Sequence, residues 1–154
     1  MKTPDSIIAN NMATLKVSKE QLRLIQQALD FYSRVGIGQF NAIKDHPTFE
    51  AHLRNESKDE NGETDYEHYH SVRDDVDGIL HVARNVLYND SSIGKNGSWG
   101  IHNPKVDDSC RDAYDLIQVI RHEFWKQNPD RSSATVDSSI TLTDNKNSNI
   151  EVEL

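Results

Sequence analysis

The chain has 154 residues, of which 35% are hydrophobic and 27% charged, and its formal net charge is −8. This length fits one domain around one hydrophobic core. The negative charge disfavours general nucleic-acid binding, which depends on neutralising phosphates with Lys and Arg. No apolar run reaches the roughly 18 residues that a membrane span requires, and residues 1–17 lack the continuous apolar stretch of a secretory signal. The single cysteine, Cys110, excludes an intramolecular disulfide and is typical of cytoplasmic proteins.

The first helix is predicted to begin after Ser18, because Ser18 and Gln21 have the spacing of a capping box. Gly36 and Gly38 interrupt its pattern and favour a kink or the close approach of another backbone. Pro47 ends the element, because the residue before a proline is disfavoured in the α region. The apolar residues recur at mostly three- and four-residue steps, as on one helix face: Leu22, Ile25, Leu29, Tyr32, Val35, Phe40 and Ile43.

Residues 48–53 are predicted to form a short helical turn, and the polar segment 54–63 an exposed loop. A second long helix is predicted to begin at the capping-box pattern of residues 64–67 and to end near residues 88–90. Its predicted buried stripe comprises Tyr69, Val72, Val76, Ile79, Leu80, Ala83, Val86 and Leu87. A third helix is predicted from Asp107 or Asp108 to Asn128, with an apolar stripe formed by Cys110, Ala113, Tyr114, Ile117, Ile120 and Phe124.

These elements predict an all-α fold, a three-helix bundle with a Gly-rich loop and flexible termini. A four-helix bundle that includes the short helix is the alternative. The domain boundaries follow: a flexible segment over residues 1–17, a helical domain over 18–129 and a flexible tail over 130–154. Weak alternation in the tail also allows short paired strands. Because each apolar stripe is narrow, a homo-oligomer is expected.

The Gly-rich loop, residues 94–104, is the first candidate site. Its glycines permit positive φ, Trp99 offers a ring for stacking, and the loop leads toward a helix N-terminus. The Walker pattern is absent, however, and Asp107 and Asp108 would repel an anion. Two interpretations stay open, a ligand site or a structural turn in which Trp99 closes the bundle. Under the first, the ligand-binding residues are Lys95, Ser98, Trp99, His102, Asn103, Arg111 and Arg121.

A polar stripe on the second helix is the other candidate. Glu67, His70, Asp74, Asp77 and His81 follow one another at steps of three and four residues. Glu67 and His70 match half of a di-metal carboxylate signature, but no second half is present. Asp74 and Asp77 loosely resemble the paired acidic motifs of all-α nucleotide pyrophosphatases. The alternatives are therefore a magnesium site formed by Glu67, His70, Asp74 and Asp77, or a solvated helix face with internal ion pairs.

The segments Phe31–Phe40, Asn96–Cys110 and Ile117–Pro129 resemble a group of small, largely uncharacterised proteins encoded by tailed bacteriophages. The resemblance covers most of the helical domain, and residues 54–63 correspond to a shortened variable insertion. The group brings no catalytic residues. The resemblance implies a protein that acts in the cytoplasm of an infected bacterium, in host takeover or against a defence system.

The expected function is therefore non-enzymatic binding of a host protein or a small nucleotide-like ligand, with no cofactor. One alternative is a magnesium-dependent nucleotide phosphohydrolase that uses Glu67, Asp74 and Asp77. A further alternative is a structural or assembly protein of the virion. Neither general nucleic-acid binding nor a membrane location is expected. Cys110, on the predicted buried face of its helix, is expected to be a small core residue rather than a nucleophile.

Overall fold

A computed structural model describes residues 14–129, Thr143 and Val152. These residues contain three long and two short helices and no β-strand, so the predicted all-α class is confirmed. An isolated antiparallel bridge joins Lys58 and Thr64. The helices are α1 (Lys19–Gly36), α2 (Asn41–Lys44), α3 (Pro47–Glu56), α4 (Tyr66–Tyr88) and α5 (Asp108–Gln127). The predicted tail, residues 130–154, lies outside the described residues except at Thr143 and Val152.

Short-range hydrogen bonds explain where the long helices begin. The Ser18 hydroxyl accepts from the Gln21 amide, and the Gln21 side chain accepts from the Ser18 amide at 2.8 Å, which confirms the predicted capping box. The N-cap of α4 is Asp65, whose carboxylate accepts from the amide of His68 at 3.1 Å, one residue later than the pattern suggested. Asp107 caps α5, as one of the two predicted alternatives.

Helix α2 is separate from α1, although the sequence pattern joined the two, and α3 is longer than the predicted short turn. Gly38 has a φ of +79°, so the chain turns there and α2 starts as a separate helix at Asn41. Helix α3 begins at Pro47, where a proline fits because the first helical amides have no intrahelical partner. It runs to Glu56, three residues beyond the predicted turn.

Helices α1 and α5 form the main pair and run antiparallel. Lys19 at the start of α1 bonds Gln127 at the end of α5 at 2.8 Å. At the other end, the hydroxyls of Tyr32 and Ser109 lie 2.7 Å apart. Helix α4 packs instead against the short helices α2 and α3. The three long helices therefore do not share one common interface.

The middle of α5 is the most enclosed part of the molecule. Four consecutive residues, Ile117–Ile120, are all buried, so this turn of α5 has no solvent face. Asp115, one turn earlier, is fully buried and accepts hydrogen bonds from the backbone amide of Thr143 at 2.8 Å and its hydroxyl at 2.7 Å. The predicted stripe of α5 thus covers only part of its buried surface, because Thr143 contacts the helix on another side.

A compact cluster closes the end of the α1–α5 pair. Its buried members are Trp99, Val106 and Cys110. The two glycines at the end of α1 make room for it: a Cβ on Gly36 would lie 2.0 Å from the Cys110 sulfur, and one on Gly38 would lie 2.2 Å from the Trp99 ring. The Trp99 amide also donates to the Ile37 carbonyl at 2.9 Å. The predicted close approach at these glycines is confirmed, by side chains as well as backbone.

The predicted buried face of α4 is wrong at its centre. Ile79, Val86 and Leu87 were expected in the core, yet they are 69%, 73% and 72% exposed. Conversely, Asp77 belongs to the stripe predicted to be solvated, yet it is buried, as is Arg84 on the same face. The reason is that residues outside α4 supply hydrogen-bond partners for Asp77 and Arg84. Helical periodicity alone does not reveal such partners.

We predict that Gly38→Ala destabilises the fold by about 3 kcal/mol, because it adds both a strained positive φ and a clash with Trp99. Gly62→Ala is the matched control: its φ is +82°, but no atom lies within 4 Å of the added Cβ. It should cost only the backbone strain, about 1 kcal/mol. Urea unfolding of the wild type and the two variants measures both losses in the free energy of unfolding. Equal losses for the two variants would contradict the packing of Trp99 on Gly38.

Candidate functional site

The Gly-rich loop is held by a buried arginine of α4. Arg84 is 1% exposed. Its guanidinium donates to the backbone carbonyls of Ile93 at 2.5 Å, Gly97 at 3.0 Å and Gly94 at 3.2 Å. It also donates to the ring nitrogen Nδ1 of His81 at 3.0 Å. Because a buried charge is costly unless its hydrogen bonds are met, these contacts make the loop part of the structural framework.

Trp99 lies inside the fold, and its ring is covered by other side chains. The residue is 5% exposed. Its ring centroid is 4.3 Å from that of Tyr88, and the ammonium of Lys105 lies 5.8 Å from the centroid. Gly38 lies against its six-membered ring. This geometry corresponds to the structural interpretation of the loop, in which Trp99 closes the end of the bundle.

The other residues predicted to bind a ligand are distributed among separate places. Arg111 donates to the backbone carbonyl of Ile101 at 3.2 Å and to that of Asn103 at 2.9 Å, and it pairs with Asp108. Arg121 lies ten residues further along α5, about 15 Å away at the rise of an α-helix. Lys95, Ser98 and His102 are exposed. Arg111 therefore lies beside Asn103 while Arg121 is distant from both, and the role of the seven residues in binding stays a prediction.

Lys105 holds the C-terminal end of the loop, opposite the end that Arg84 holds. Its ammonium bonds the Asp90 carboxylate at 2.5 Å, just after the end of α4. The hydrogen bond from Lys105, with those from Ser92, holds the pKa of Asp90 well below its usual range. Asp90 is thus an ionised anchor of the turn after α4. Together with Arg84 it ties both ends of the loop to that helix.

The polar stripe of α4 is divided between two environments. Asp77 is buried against Lys44 of α2, with 2.5 Å between carboxylate and ammonium and each side chain 9% exposed. Glu67, His70 and Asp74 are exposed. In the part of the chain that the structure describes, no three His, Cys, Asp or Glu side chains lie close enough together to hold a metal ion. The magnesium-dependent alternative therefore gains no support from this geometry.

Cys110 has the environment expected of a core residue. It is 5% exposed and packs with Trp99 and Val106. Burial raises the pKa of its thiol, which keeps it protonated and weakly nucleophilic at neutral pH.

The side of α4 that faces away from α2 and α3 carries an unusual amount of exposed aliphatic surface. We define the outer face of α4 as Val72, Asp75, Ile79, Val82 and Val86. Ile79, Val82 and Val86 are 69%, 60% and 73% exposed, and the adjoining Leu87 is 72% exposed. Asp75 is the one charged member of this set. Isolated exposed aliphatic residues are common, but a contiguous row of them marks a contact surface.

A shallow open groove of about 410 Å³ lies along this face. It is lined by Asp74, Asp75, Gly78, Ile79 and Val82. At Gly78, no atom of the described residues lies within 4 Å of the position of a Cβ.

Sequence reasoning missed both the outer face and Arg84. A partial signal was available in two tyrosines of α4. Tyr69 is buried, and the Tyr88 hydroxyl reaches the carbonyls of Val35 and Gly36. On a helical projection both lie on the side opposite Val82. Tyr66, in the first turn of α4, is 62% exposed, so aromatic character alone would not have identified the inner face.

We predict that Trp99→Ala lowers the free energy of unfolding by about 3–5 kcal/mol, as expected when a large buried aromatic side chain is removed. Trp125→Ala is the control, since Trp125 is only half-buried near the end of α5 and stacks on His122. Its loss should be about 1 kcal/mol. Chemical denaturation followed by circular dichroism measures both. A fully stable Trp99→Ala protein would instead indicate that the ring is free to bind a ligand.

We predict that Arg84→Lys destabilises the protein by about 2–3 kcal/mol, because one ammonium cannot replace a fork that reaches three carbonyls. Amides of residues 93–97 should then exchange hydrogen faster. Arg34→Lys, at an exposed pair with Asp30, should change stability by less than about 0.5 kcal/mol. Unchanged exchange in the loop of Arg84→Lys would contradict the role given to Arg84.

Comparison with known proteins does not assign the chain to a family. No protein-family model, curated protein or solved structure matches the chain. Nor does any helix in the described residues combine the length and apolarity needed to cross a membrane. The function is therefore argued from the surface of the molecule itself.

Proposed function

We propose that this protein is a non-enzymatic binding protein that works by docking the outer face of α4 against another polypeptide. The observation that carries the proposal is the exposure of Ile79, Val82 and Val86, each at least 60% exposed on one side of α4. Following the resemblance to small tailed-phage proteins, the proposed setting is the cytoplasm of an infected bacterium. Candidate partners are a host factor, another virion protein or a further copy of the chain.

The size of the apolar surface supports a protein partner. Ile79, Val82 and Val86 together expose on the order of 300 Å², the lower end of the range for the largest patch on a typical monomer. Burying that area would contribute about 8 kcal/mol before the entropic costs of association are subtracted. A monomer with this surface in water lacks that contribution to its stability. Association with a partner that covers the surface would therefore be favoured by the hydrophobic effect.

The structure favours a protein over a small nucleotide-like ligand. Such a ligand would need an aromatic face for stacking, and the Trp99 ring is covered by Tyr88 and Gly38. It would also need cations to meet its phosphates. The outer face of α4 offers no cation, and the groove along it is lined by the two carboxylates Asp74 and Asp75. The exposed aliphatic side chains beside them match the apolar surface of another polypeptide instead.

The proposal is tested by site-specific photo-crosslinking in cells that produce the full chain. Replacing Ile79 with p-benzoylphenylalanine should give a covalent product with another polypeptide, because the probe then lies in the contact. Leu24 on α1 is the control position, since it is 66% exposed, close to the 69% of Ile79. Equal yields of products from both positions, or none from Ile79, would contradict the proposal. The mass of the product distinguishes the candidate partners.

A further inference from the structure

The chain contains two Asn-Gly dipeptides, Asn61–Gly62 and Asn96–Gly97, and both lie in loops that the structure describes. Asparagine followed by glycine is the dipeptide most prone to spontaneous deamidation, because glycine has no Cβ to obstruct the approach of its backbone nitrogen to the preceding side chain. Both asparagines are exposed. They are therefore candidates for the same chemical modification, and the fold around each one determines its rate.

Deamidation proceeds in two steps. The backbone nitrogen of the glycine attacks Cγ of the asparagine, so that a nitrogen–Cγ bond forms and a cyclic imide closes. The Cγ–Nδ2 bond breaks, and ammonia leaves with the proton of the glycine amide. Water then opens the imide at one of its two carbonyl carbons. Opening at Cγ gives aspartate, and opening at the backbone carbonyl gives isoaspartate, in which the main chain continues through the former side chain.

The two dipeptides occupy the same place in a turn, which makes them a matched pair. In each turn, asparagine is the third of four residues, and the glycine amide donates to the carbonyl of the first residue. The Gly62 amide donates to Asp59 at 3.0 Å, and the Gly97 amide donates to Gly94 at 2.9 Å. The attacking nitrogen is therefore held in both turns, and each turn must open before the imide can close.

The turn at Gly97 is held closed by a buried cation. The carbonyl of Gly97 accepts from the guanidinium of Arg84 at 3.0 Å, and the carbonyl of Gly94 accepts from it at 3.2 Å. A Cβ on Gly97 would lie 2.6 Å from the side chain of Ile93, so the glycine is packed as well as hydrogen-bonded. Because Arg84 is 1% exposed, water does not readily replace a lost acceptor, and opening leaves a buried donor without a partner.

The turn at Gly62 is held by exposed groups. Asp59 is exposed, and its carboxylate accepts from the amides of Asn61 and Glu63, each at 2.9 Å. No atom of the described residues lies within 4 Å of the position that a Cβ on Gly62 would take. Water can replace exposed hydrogen bonds when a turn opens, so opening costs less at Gly62 than at the turn that Arg84 holds.

We propose that Asn96 is a latent deamidation site, protected by the buried guanidinium of Arg84, and that its conversion to isoaspartate releases the Gly-rich loop from α4. Isoaspartate places one additional carbon in the main chain immediately before Gly97. The carbonyl of Gly97 is then displaced from the guanidinium, and the closed turn does not form again. The modification is thus a one-way switch on the loop, and it is independent of the docking proposed for the outer face of α4.

The first experiment measures the rate at each site. The full chain is incubated at mildly alkaline pH, and chromatography with mass spectrometry separates the amide, aspartate and isoaspartate forms of the proteolytic peptides. In the wild type, Asn61 should convert at least about 10-fold faster than Asn96, because its turn opens more readily. In urea that unfolds the chain, the ratio should fall towards one. The same ratio in the folded and the unfolded chain would overturn the inference, because the flanking sequence would then set the rates.

The variant Arg84→Lys tests the anchor directly. It should raise the rate at Asn96 at least about 10-fold and leave the rate at Asn61 unchanged. Arg34→Lys, at an exposed pair with Asp30, is the control and should change neither rate. An unchanged rate at Asn96 in a folded Arg84→Lys protein would overturn the inference. If Arg84→Lys unfolds, both sites accelerate, and the ratio measured in the folded and unfolded wild type decides the inference by itself.

The second experiment tests the release of the loop. The Asn61→Gln variant is incubated, so that Asn96–Gly97 is its single Asn-Gly dipeptide, and chromatography isolates the isoaspartate product. In this product, the amides of residues 93–97 should exchange hydrogen at least about 10-fold faster than before incubation. Asn96→Asp is the matched control, because it has the same charge on an unextended main chain and should exchange as the wild type does. Equal exchange in the isoaspartate product and in Asn96→Asp would overturn the release of the loop.

Discussion

The buried guanidinium of Arg84 is the constraint on which the rest of the structure depends. A charge at 1% exposure requires partners, and Arg84 finds them in the carbonyls of residues 93, 94 and 97. This requirement turns one side of α4 inward. On the same side, Asp77 meets Lys44 from α2. With two charged residues directed inward, the aliphatic residues Ile79, Val82 and Val86 lie on the other side of α4, where they are exposed.

The same arrangement explains why glycine is required at two positions at the end of α1. Arg84 fixes the start of the loop, and Lys105 anchors its end to Asp90. Trp99, held between these two points, enters the space left by Gly36 and Gly38 at the end of α1. Gly36 and Gly38 therefore solve a packing problem, the insertion of one large ring into the end of the helix pair. Gly78 is different, because no atom of the described residues lies within 4 Å of the position that its Cβ would take.

The pairing of helices explains why association is expected to use α4. Helices α1 and α5 bury one another, and Thr143 contacts α5 on a further side. Helix α4 packs against the short helices α2 and α3, and near its end the Tyr88 hydroxyl reaches the carbonyls of Val35 and Gly36 in α1. The side of α4 opposite these contacts carries the exposed Ile79, Val82 and Val86. The expectation of a homo-oligomer, drawn from narrow apolar stripes, thus acquires a definite surface, and it remains a prediction until mass and crosslinking are measured.

Local interactions made much of this fold predictable from the sequence. The capping box at Ser18, the N-cap at Asp107 and the end of α4 near Tyr88 depend on residues within one helical turn, so their signals are complete in a short window. The helical class and the buried Cys110 follow from periodicity in the same way. Only the tertiary structure decided which side of α4 faces inward, because that choice depends on carbonyls and a lysine from distant segments. Periodicity locates an apolar stripe, but the partners of Asp77 and Arg84 determine whether that stripe meets the core of its own chain or the surface of another molecule.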